Sequence, residues 1–307
     1  MKRSERMRPR VRCRRRRAGL TTRAALFVCA CVLCLLPAAA RAQTVEPTPT
    51  PRPADERPVN PKLPTLFVVG DSTANNSANG AQGWGDPFVA YFDPAKINVL
   101  NRARAGRSSR TFLTEGLWAK VLQDVKPGDF VLIQFGHNDG GPLDTGRARG
   151  SLPGLGEETR EVTTPDGRRE VVHTFGWYNR KFIADVKAKG AKPVVLSLTV
   201  RNIWQDGRVE RGSGQFRAWA EELARAAGVP FVDLTTIVAD RYEALGAERV
   251  KALFGPDHTH TSPAGAEFNA AAVVAGLKGL KGNPFGKYFS ARGRAVAAHK
   301  TARPHRT

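Results

Sequence analysis

The chain has 307 residues, of which 41% are apolar and 25% charged, and its formal net charge is +20. This composition is typical of a globular protein with a sizeable core and excludes a chain that is disordered throughout. Although the charge suggests nucleic-acid binding, more than half of it lies in residues 1–42, and residues 291–307 add further basic residues. Because no basic cluster is left on one predicted element, we expect no nucleic-acid partner.

Residues 1–42 have the pattern of an export signal. A basic stretch at 14–17 precedes an apolar run at 24–36, and Ala-Arg-Ala at 40–42 resembles a signal-peptidase site. We therefore expect cleavage before Gln43, an exported protein in the periplasm or outside the cell, and no membrane contact after cleavage. The apolar run is shorter than the roughly 20 residues of a bilayer span, although an uncleaved anchor is the alternative.

All four cysteines, at positions 13, 29, 31 and 34, lie inside this signal segment. The mature chain would therefore have no disulfide, no cysteine nucleophile and no metal site built from cysteine.

The rest of the chain divides into three parts. Residues 43–64 have prolines at short intervals, which predicts an extended linker. Residues 291–307 are basic, carry no acidic residue and have little apolar surface to bury, so we expect a disordered tail. Residues 65–290 between them form the predicted domain.

Short apolar runs alternate with helical patterns through this domain. In chain order, strands are predicted at 65–69, 97–100, 130–135, 193–198 and 230–234, and helices at 175–189, 215–227 and 262–280. Near-continuous apolar strands are typical of a parallel sheet covered on both faces. We predict a three-layer α/β domain with a mainly parallel five-stranded sheet. Residues 140–173, rich in glycine, proline and charge, are predicted as a long functional or disordered loop.

Polar motifs follow the ends of the predicted strands, where open α/β sheets bind their ligands. Ser72, in Gly-Asp-Ser-Thr after the first strand, is placed as an exposed hydroxyl at a strand-to-helix turn. It needs a base to act as a nucleophile. Asp257 and His260, three residues apart before the last helix, can supply that base and the carboxylate that orients it.

The backbone N–H groups of Ser72 and Gly106 and the side chain of Asn138 can together form an oxyanion hole. Each motif alone also has a simpler interpretation, as a turn, a capped loop or, at residues 257–260, part of a metal site. His258 is an alternative base, but Asp257 cannot easily orient its own neighbour. No further ligands stand at the usual spacing, so we predict no metal. The order of all four motifs at strand ends favours catalysis.

These motifs resemble the four blocks of the SGNH (GDSL-type) hydrolases, named after a serine, glycine, asparagine and histidine that correspond here to Ser72, Gly106, Asn138 and His260. Residues 101–108, 149–154, 173–178 and 201–204 further resemble the rhamnogalacturonan acetylesterases of carbohydrate esterase family 12. The resemblance implies a flavodoxin-like sheet, removal of acetyl groups from a pectic polysaccharide, and no cofactor. Ala105 departs from the second glycine that relatives carry. No Gly-x-Ser-x-Gly elbow is present, which argues against an α/β-hydrolase lipase.

Four residues are candidates for binding the polysaccharide: Arg147, Arg149, Arg201 and Trp84. The three arginines, together with Arg160, could pair with regular carboxylates of a polymer such as rhamnogalacturonan. Trp84 could stack on a sugar ring. Two alternatives stay open at this point, namely an esterase for xylan acetate or short acyl chains, and a non-catalytic glycan-binding protein on the same scaffold.

Overall fold

The computed structural model describes residues 59–212, 214–255 and 257–299. The predicted signal segment, residues 43–58 of the predicted linker and residues 300–307 lie outside this description. In the described part of the chain, no helix combines the length and the apolar character that crossing a bilayer requires.

The strands and helices alternate along the chain. The strands are β1 Thr65–Gly70, β2 Asn98–Asn101, β3 Phe130–Gln134, β4 Thr159–Thr163, β5 Arg169–His173, β6 Lys192–Leu196, β7 Trp204–Gln205, β8 Arg208–Val209 and β9 Phe231–Val232. The α-helices are α1 Gly85–Phe88, α2 Ser109–Thr114, α3 Leu117–Asp124, α4 Phe175–Ala188, α5 Phe216–Ala227, α6 Leu234–Leu245, α7 Ala247–Lys251, α8 Pro263–Gly279 and α9 Ala291–Ala295. Short 3₁₀ turns span Ala78–Gly80, Val89–Tyr91 and Gly286–Tyr288.

The central sheet has five parallel strands in the order β2-β1-β3-β6-β9. This is the flavodoxin-like order, and it confirms the predicted three-layer α/β fold. Strands β1 and β3 are buried along their whole length because helices cover both faces of the sheet. The carboxyl ends of the strands meet at one edge, so the loops after β1, β2 and β3 lie side by side.

Alternate residues of the central strands divide between two apolar cores. Leu66 and Val68 of β1 belong to the core beneath α1, α6 and α8, whereas Phe67 and Val69 belong to the core beneath α2 to α5. Helices α1 and α6 both pack on α8, and α4 packs on α2 and α5. The period of two along each strand therefore accounts for the three layers.

The segment predicted as a long loop contains an antiparallel hairpin, β4 paired with β5, from Thr159↔His173 to Thr163↔Arg169. Its inner side is apolar, since Val162 and Val172 are buried against Leu152. The segment also buries Arg110, whose guanidinium pairs with both carboxylate oxygens of Glu170 at 2.8 and 3.0 Å. The alternation of apolar and polar residues in these two strands is too short, and contains too many charged residues, to predict a hairpin from the sequence.

The start of the predicted tail is ordered, so the expectation of disorder from residue 291 is wrong up to residue 299. Helix α9 begins after Ser290, whose hydroxyl caps it and also donates to the carbonyl of Ala90 at 2.9 Å. Gly293 lies so close to the carbonyl of Tyr91 that a Cβ there would overlap it. The Ser290 hydroxyl, the close backbone contact at Gly293 and the partly buried Val296 hold this segment against the domain.

Candidate active site

Ser72, His260 and Asp257 lie in one hydrogen-bonded series. The Oγ of Ser72 is 2.9 Å from Nε2 of His260, and Nδ1 of His260 is 2.7 Å from Oδ2 of Asp257. The nucleophile and the base are 188 residues apart in sequence. The structure thus brings together the three side chains for which the sequence predicted nucleophile, base and orienting carboxylate.

A tight turn after β1 presents Ser72. The carboxylate of Asp71 accepts hydrogen bonds from the backbone N–H and the hydroxyl of Thr73, both at 2.8 Å. The carbonyl of Asp71 accepts from the N–H of Ala74 and Asn75, which turns the chain away from the sheet. A Cβ at Gly70 would lie 2.7 Å from the carbonyl oxygen of Gln134, so glycine lets β1 approach β3 at this point.

Asp257 is paired with His260 and not with its neighbour His258. One oxygen of Asp257 accepts the backbone N–H groups of Thr259 and His260, at 2.7 and 2.8 Å, and the other faces the ring of His260. Partial burial opposes ionisation, but the bonds from the His260 ring and these two N–H groups lower the pKa of Asp257 below its usual value. The carboxylate is therefore charged where it holds His260.

Two of the predicted oxyanion-hole residues, Gly106 and Asn138, meet at the turn after β2. Gly106 has a φ of +78°, in the left-handed region that favours glycine, and Asn138 donates from Nδ2 to the carbonyl of Arg107 at 2.8 Å. Within the described residues, no acceptor is bonded to the backbone N–H of Ser72 or Gly106. These N–H groups and the second amide proton of Asn138 therefore have no acceptor in the part of the chain that the structure describes, as the predicted role in an oxyanion hole requires.

Asp139, one residue after Asn138, anchors the loops around this hole, a role that its place in the sequence does not indicate. Its buried carboxylate accepts from the N–H of Ser109 at 3.2 Å, from the Ser109 hydroxyl, and from the Ser151 hydroxyl at 3.2 Å. Burial raises the pKa of Asp139 to about 6, although these hydrogen bonds act in the opposite direction. The start of α2 and the loop before the hairpin are thereby tied to the end of β3.

Buried polar atoms surround His137 on the other side of the nucleophile turn. Oδ2 of Asp71, Nδ1 of His137 and Nε of Arg201 have no hydrogen-bond partner among the described residues. Burial lowers the pKa of His137; Asp71 opposes this shift, and Arg201 and His260 reinforce it. His137 is therefore neutral, so it does not oppose the positive charge that His260 gains when it accepts a proton.

Within the described ranges, no group of three or more His, Cys, Asp or Glu side chains is placed to hold a metal ion. The order of Ser72, His260 and Asp257 fits an activated serine that can attack an acyl carbon.

Residues 68–268 match the model of the GDSL-like Lipase/Acylhydrolase family. The chain belongs to this family. It is similar to the rhamnogalacturonan acetylesterase of Emericella nidulans, with 38% identity over 210 residues that cover 68% of this chain and 83% of that protein. It is also similar to a rhamnogalacturonan acetylesterase of Bacillus subtilis, with 30% identity over 233 residues, 70% of this chain and 90% of that protein.

The solved structure of protein YxiM from Bacillus subtilis has the same fold, with a TM-score of 0.56 and 26% identity. The match covers 70% of this chain and 56% of that one, so this GDSL-family protein spans just over half of the YxiM structure. The family and its named relatives identify the chain as a carboxylic ester hydrolase.

The predicted substrate-binding residues of this esterase occupy different places. Arg149 donates from Nη1 to the carbonyl of Gly106 at 3.1 Å, and Arg147 lies beside it. Arg201 lies near His137 instead, on the loop where Asn202 bonds the carbonyl of His258. Arg160 is exposed on the first strand of the hairpin.

Trp84 does not bind substrate, which corrects the prediction from sequence. Its side chain is fully buried, its ring packs edge-on against Phe88 at 5.3 Å, and its Nε1–H donates to Gln134 at 2.9 Å. The indole packs beneath the nucleophile turn because both its apolar body and its N–H find partners inside the domain.

Proposed function

We propose that this protein is an exported acetylesterase that removes O-acetyl groups from a plant cell-wall polysaccharide, acetylated rhamnogalacturonan. The observation that carries the proposal is the series Ser72–His260–Asp257 in a chain that aligns with most of a fungal rhamnogalacturonan acetylesterase. A non-catalytic glycan-binding protein has no need for a serine, a base and an orienting carboxylate in hydrogen-bonded order.

In the proposed reaction, Oγ of Ser72 attacks the acetyl carbonyl carbon while Nε2 of His260 takes the hydroxyl proton. The N–H groups of Ser72 and Gly106 and the amide of Asn138 stabilise the negative charge on the carbonyl oxygen. His260 then gives its proton to the sugar oxygen, which leaves as a hydroxyl group. Water, activated by the same histidine, hydrolyses the acetyl-serine to acetate and restores Ser72.

The substrate part of the proposal rests on the two relatives named rhamnogalacturonan acetylesterases, which differ in organism and align over most of their length. Arg149, which is bonded to Gly106 of the predicted oxyanion hole, is consistent with an acidic polymer, since guanidinium groups pair well with carboxylates. Export is proposed from the order of basic, apolar and small residues in positions 1–42, because a cell-wall polymer has to be reached outside the cytoplasm.

The test is acetate release by the purified mature protein from acetylated rhamnogalacturonan and acetylated xylan, next to 4-nitrophenyl acetate and its octanoate analogue. The Ser72→Ala protein is the matched control for background hydrolysis. We expect the highest kcat/KM on acetylated rhamnogalacturonan and a preference for acetate over octanoate. Faster release from xylan, or preference for octanoate, would replace the proposed substrate with the corresponding alternative. If no ester released acid in a Ser72-dependent manner, the proposal that the protein is a serine esterase would be overturned as well.

A further inference from the structure

Two arginine side chains converge on one face of Gly106, the glycine of the predicted oxyanion hole. A Cβ built on Gly106 would lie 3.6 Å from Nη1 of Arg149 and 3.9 Å from Nη1 of Arg147. Arg149 is fixed there by its bond to the carbonyl of Gly106. Arg149 is half-buried and Arg147 is exposed, so the pair reaches from the oxyanion turn to the surface.

The backbone that carries these arginines is held rigidly at the site. Ala148, between them, has a φ of +42°, which a residue with a Cβ rarely adopts, and its side chain is buried. The N–H of Gly150 donates to the carbonyl of Pro142 at 2.8 Å, which closes the loop on itself. The N–H of Gly141 donates to the carbonyl of Asn138 at 3.1 Å, which joins the loop to the oxyanion hole. The backbone of this loop and the side chain of Arg149 are therefore held in place without a ligand.

The turn after β2 carries three more arginines, and one of them, Arg107, lies close enough to Arg149 to disfavour its charge. Arg102 and Arg107 each have a carboxylate partner, Asp124 at 3.0 Å and Glu115 at 2.8 Å, and Arg104 lies between them in sequence. Burial, and then the charge of Arg147, lowers the pKa of Arg149, so its surroundings disfavour its positive charge. Burial together with Arg107 and Arg102 does the same to Arg104. An anion bound between Arg147 and Arg149 would therefore stabilise the positive charge of Arg149.

We propose that Arg147 and Arg149 form a subsite for the carboxylate of a sugar that neighbours the acetylated residue of the substrate. This rests on the proposed function in that it takes the substrate to be an acidic polysaccharide. A planar guanidinium matches a carboxylate through two parallel hydrogen bonds, which a neutral sugar cannot provide. Because Arg149 is bonded to the carbonyl of Gly106, a carboxylate held here lies next to the proposed oxyanion hole.

The experiment measures competitive inhibition of 4-nitrophenyl acetate hydrolysis by trigalacturonate and by its fully methyl-esterified form. The two oligomers share one backbone and differ in charge, and the chromogenic ester is neutral. The quantity compared is the ratio of the two inhibition constants within each protein. We expect trigalacturonate to bind the native protein at least about tenfold more tightly, since hydrogen bonds between charged groups contribute about a factor of ten or more.

Arg147→Gln is the principal variant because its side chain is exposed and its replacement leaves the bond between Arg149 and Gly106 in place. We expect it to reduce the ratio about tenfold, and Arg149→Lys, which keeps the charge but loses the planar fork, to reduce it by a smaller factor. Arg225→Gln is the matched control. This exposed arginine is in the last turn of α5, which leads into β9 at the opposite edge of the sheet, so the ratio should not change.

Equal inhibition by the two oligomers, or an unchanged ratio in Arg147→Gln, would overturn the subsite. Release of acetate from rhamnogalacturonan measured on the same proteins separates this result from the proposed function. A native protein that deacetylates the polymer without discriminating the oligomers retains its function and lacks the subsite. A protein that discriminates the oligomers but releases no acetate from the polymer has the subsite and a different acidic substrate.

Discussion

Two hydrogen bonds between Gln82 and Thr261 connect the loop that carries His260 to the turn that carries Ser72. The N–H of Gln82 donates to the carbonyl of Thr261, and the hydroxyl of Thr261 donates to the carbonyl of Gln82, both at 2.8 Å. The chain around Gln82 folds back on the Ser72 turn, since Trp84 N donates to the carbonyl of Thr73 at 2.9 Å. The separation of Ser72 from His260 therefore depends on a residue next to the base.

The first prediction concerns Thr261. Thr261→Val should lower kcat by roughly tenfold, because small displacements of a catalytic group are costly, and should lower the free energy of unfolding by about 1–3 kcal/mol, because the Gln82 carbonyl loses its donor. Thr261→Ser keeps the hydroxyl and is the matched control. Steady-state kinetics and urea unfolding measure the two effects. Equal kcat in the two variants would remove any positioning role from the hydroxyl.

The second prediction concerns the hydrogen-bonded series. Ser72→Ala should leave only the residual activity that substrate binding and the oxyanion hole provide. In a comparable triad this residual rate is roughly 10³–10⁴-fold above the rate in water. His260→Ala should be nearly as damaging, and the double variant should lose little more, because the two side chains act as a unit. His258→Ala should be much milder, since Asp257 faces His260 instead. If the two histidine variants exchanged these behaviours, His258 would be the base.

The third prediction concerns Asn138. Asn138→Ala should lower kcat by about 10²–10³-fold with a smaller effect on KM, because its amide serves charge that develops in the transition state. Its bond to the carbonyl of Arg107 means that an unfolding curve must accompany the kinetics. Asn138→Asp is a nearly isosteric comparison that cannot donate when ionised, and it should be at least as slow. An effect on KM alone would assign Asn138 to ground-state binding.

The site residues that follow the central strands were predictable from sequence, because a parallel sheet brings the ends of its strands together at one edge. Apolar runs located the five central strands to within a few residues, and the polar motifs after them had to meet at one edge of a parallel sheet. Asp257 and His260 needed only their spacing, because the partners lie on one loop.

Residues whose roles depend on packing were not predictable in this way. Tryptophan is a residue type that often stacks on sugar rings, and only the buried hydrogen bond to Gln134 shows that Trp84 belongs to the core. Arg110 is charged and yet fully buried, because it forms an ion pair with Glu170 of the hairpin, which is 60 residues away in sequence. Helix α9 is held by the Ser290 hydroxyl and by the close approach of Gly293 to the carbonyl of Tyr91, and neither contact leaves an apolar pattern in the sequence.

The last prediction concerns Asp139, whose burial makes the stability of the domain depend on pH. Its pKa is raised from 3.8 to about 6 in the folded protein. As the pH rises from about 4 to about 6, the unfolded chain loses this proton first while the folded domain retains it. The folded state then binds more protons than the unfolded state, so the contribution of Asp139 to stability falls as the pH rises. The loss is on the order of 3 kcal/mol over this window.

Asp139→Asn removes the titration while its amide oxygen can still accept from Ser109 and Ser151. The comparison is therefore between the slopes of unfolding free energy against pH, because all other titrating groups are common to both proteins and the amide can shift the absolute stability. We expect the native protein to lose stability relative to the variant between pH 4 and pH 6, and the difference to level off above that range. Urea unfolding at half-unit steps, with unchanged m-values as the check on two-state behaviour, measures it. Parallel curves for the two proteins would show that the pKa of Asp139 is the same in the folded and unfolded states, which would mean that the bonds from Ser109 and Ser151 balance its burial.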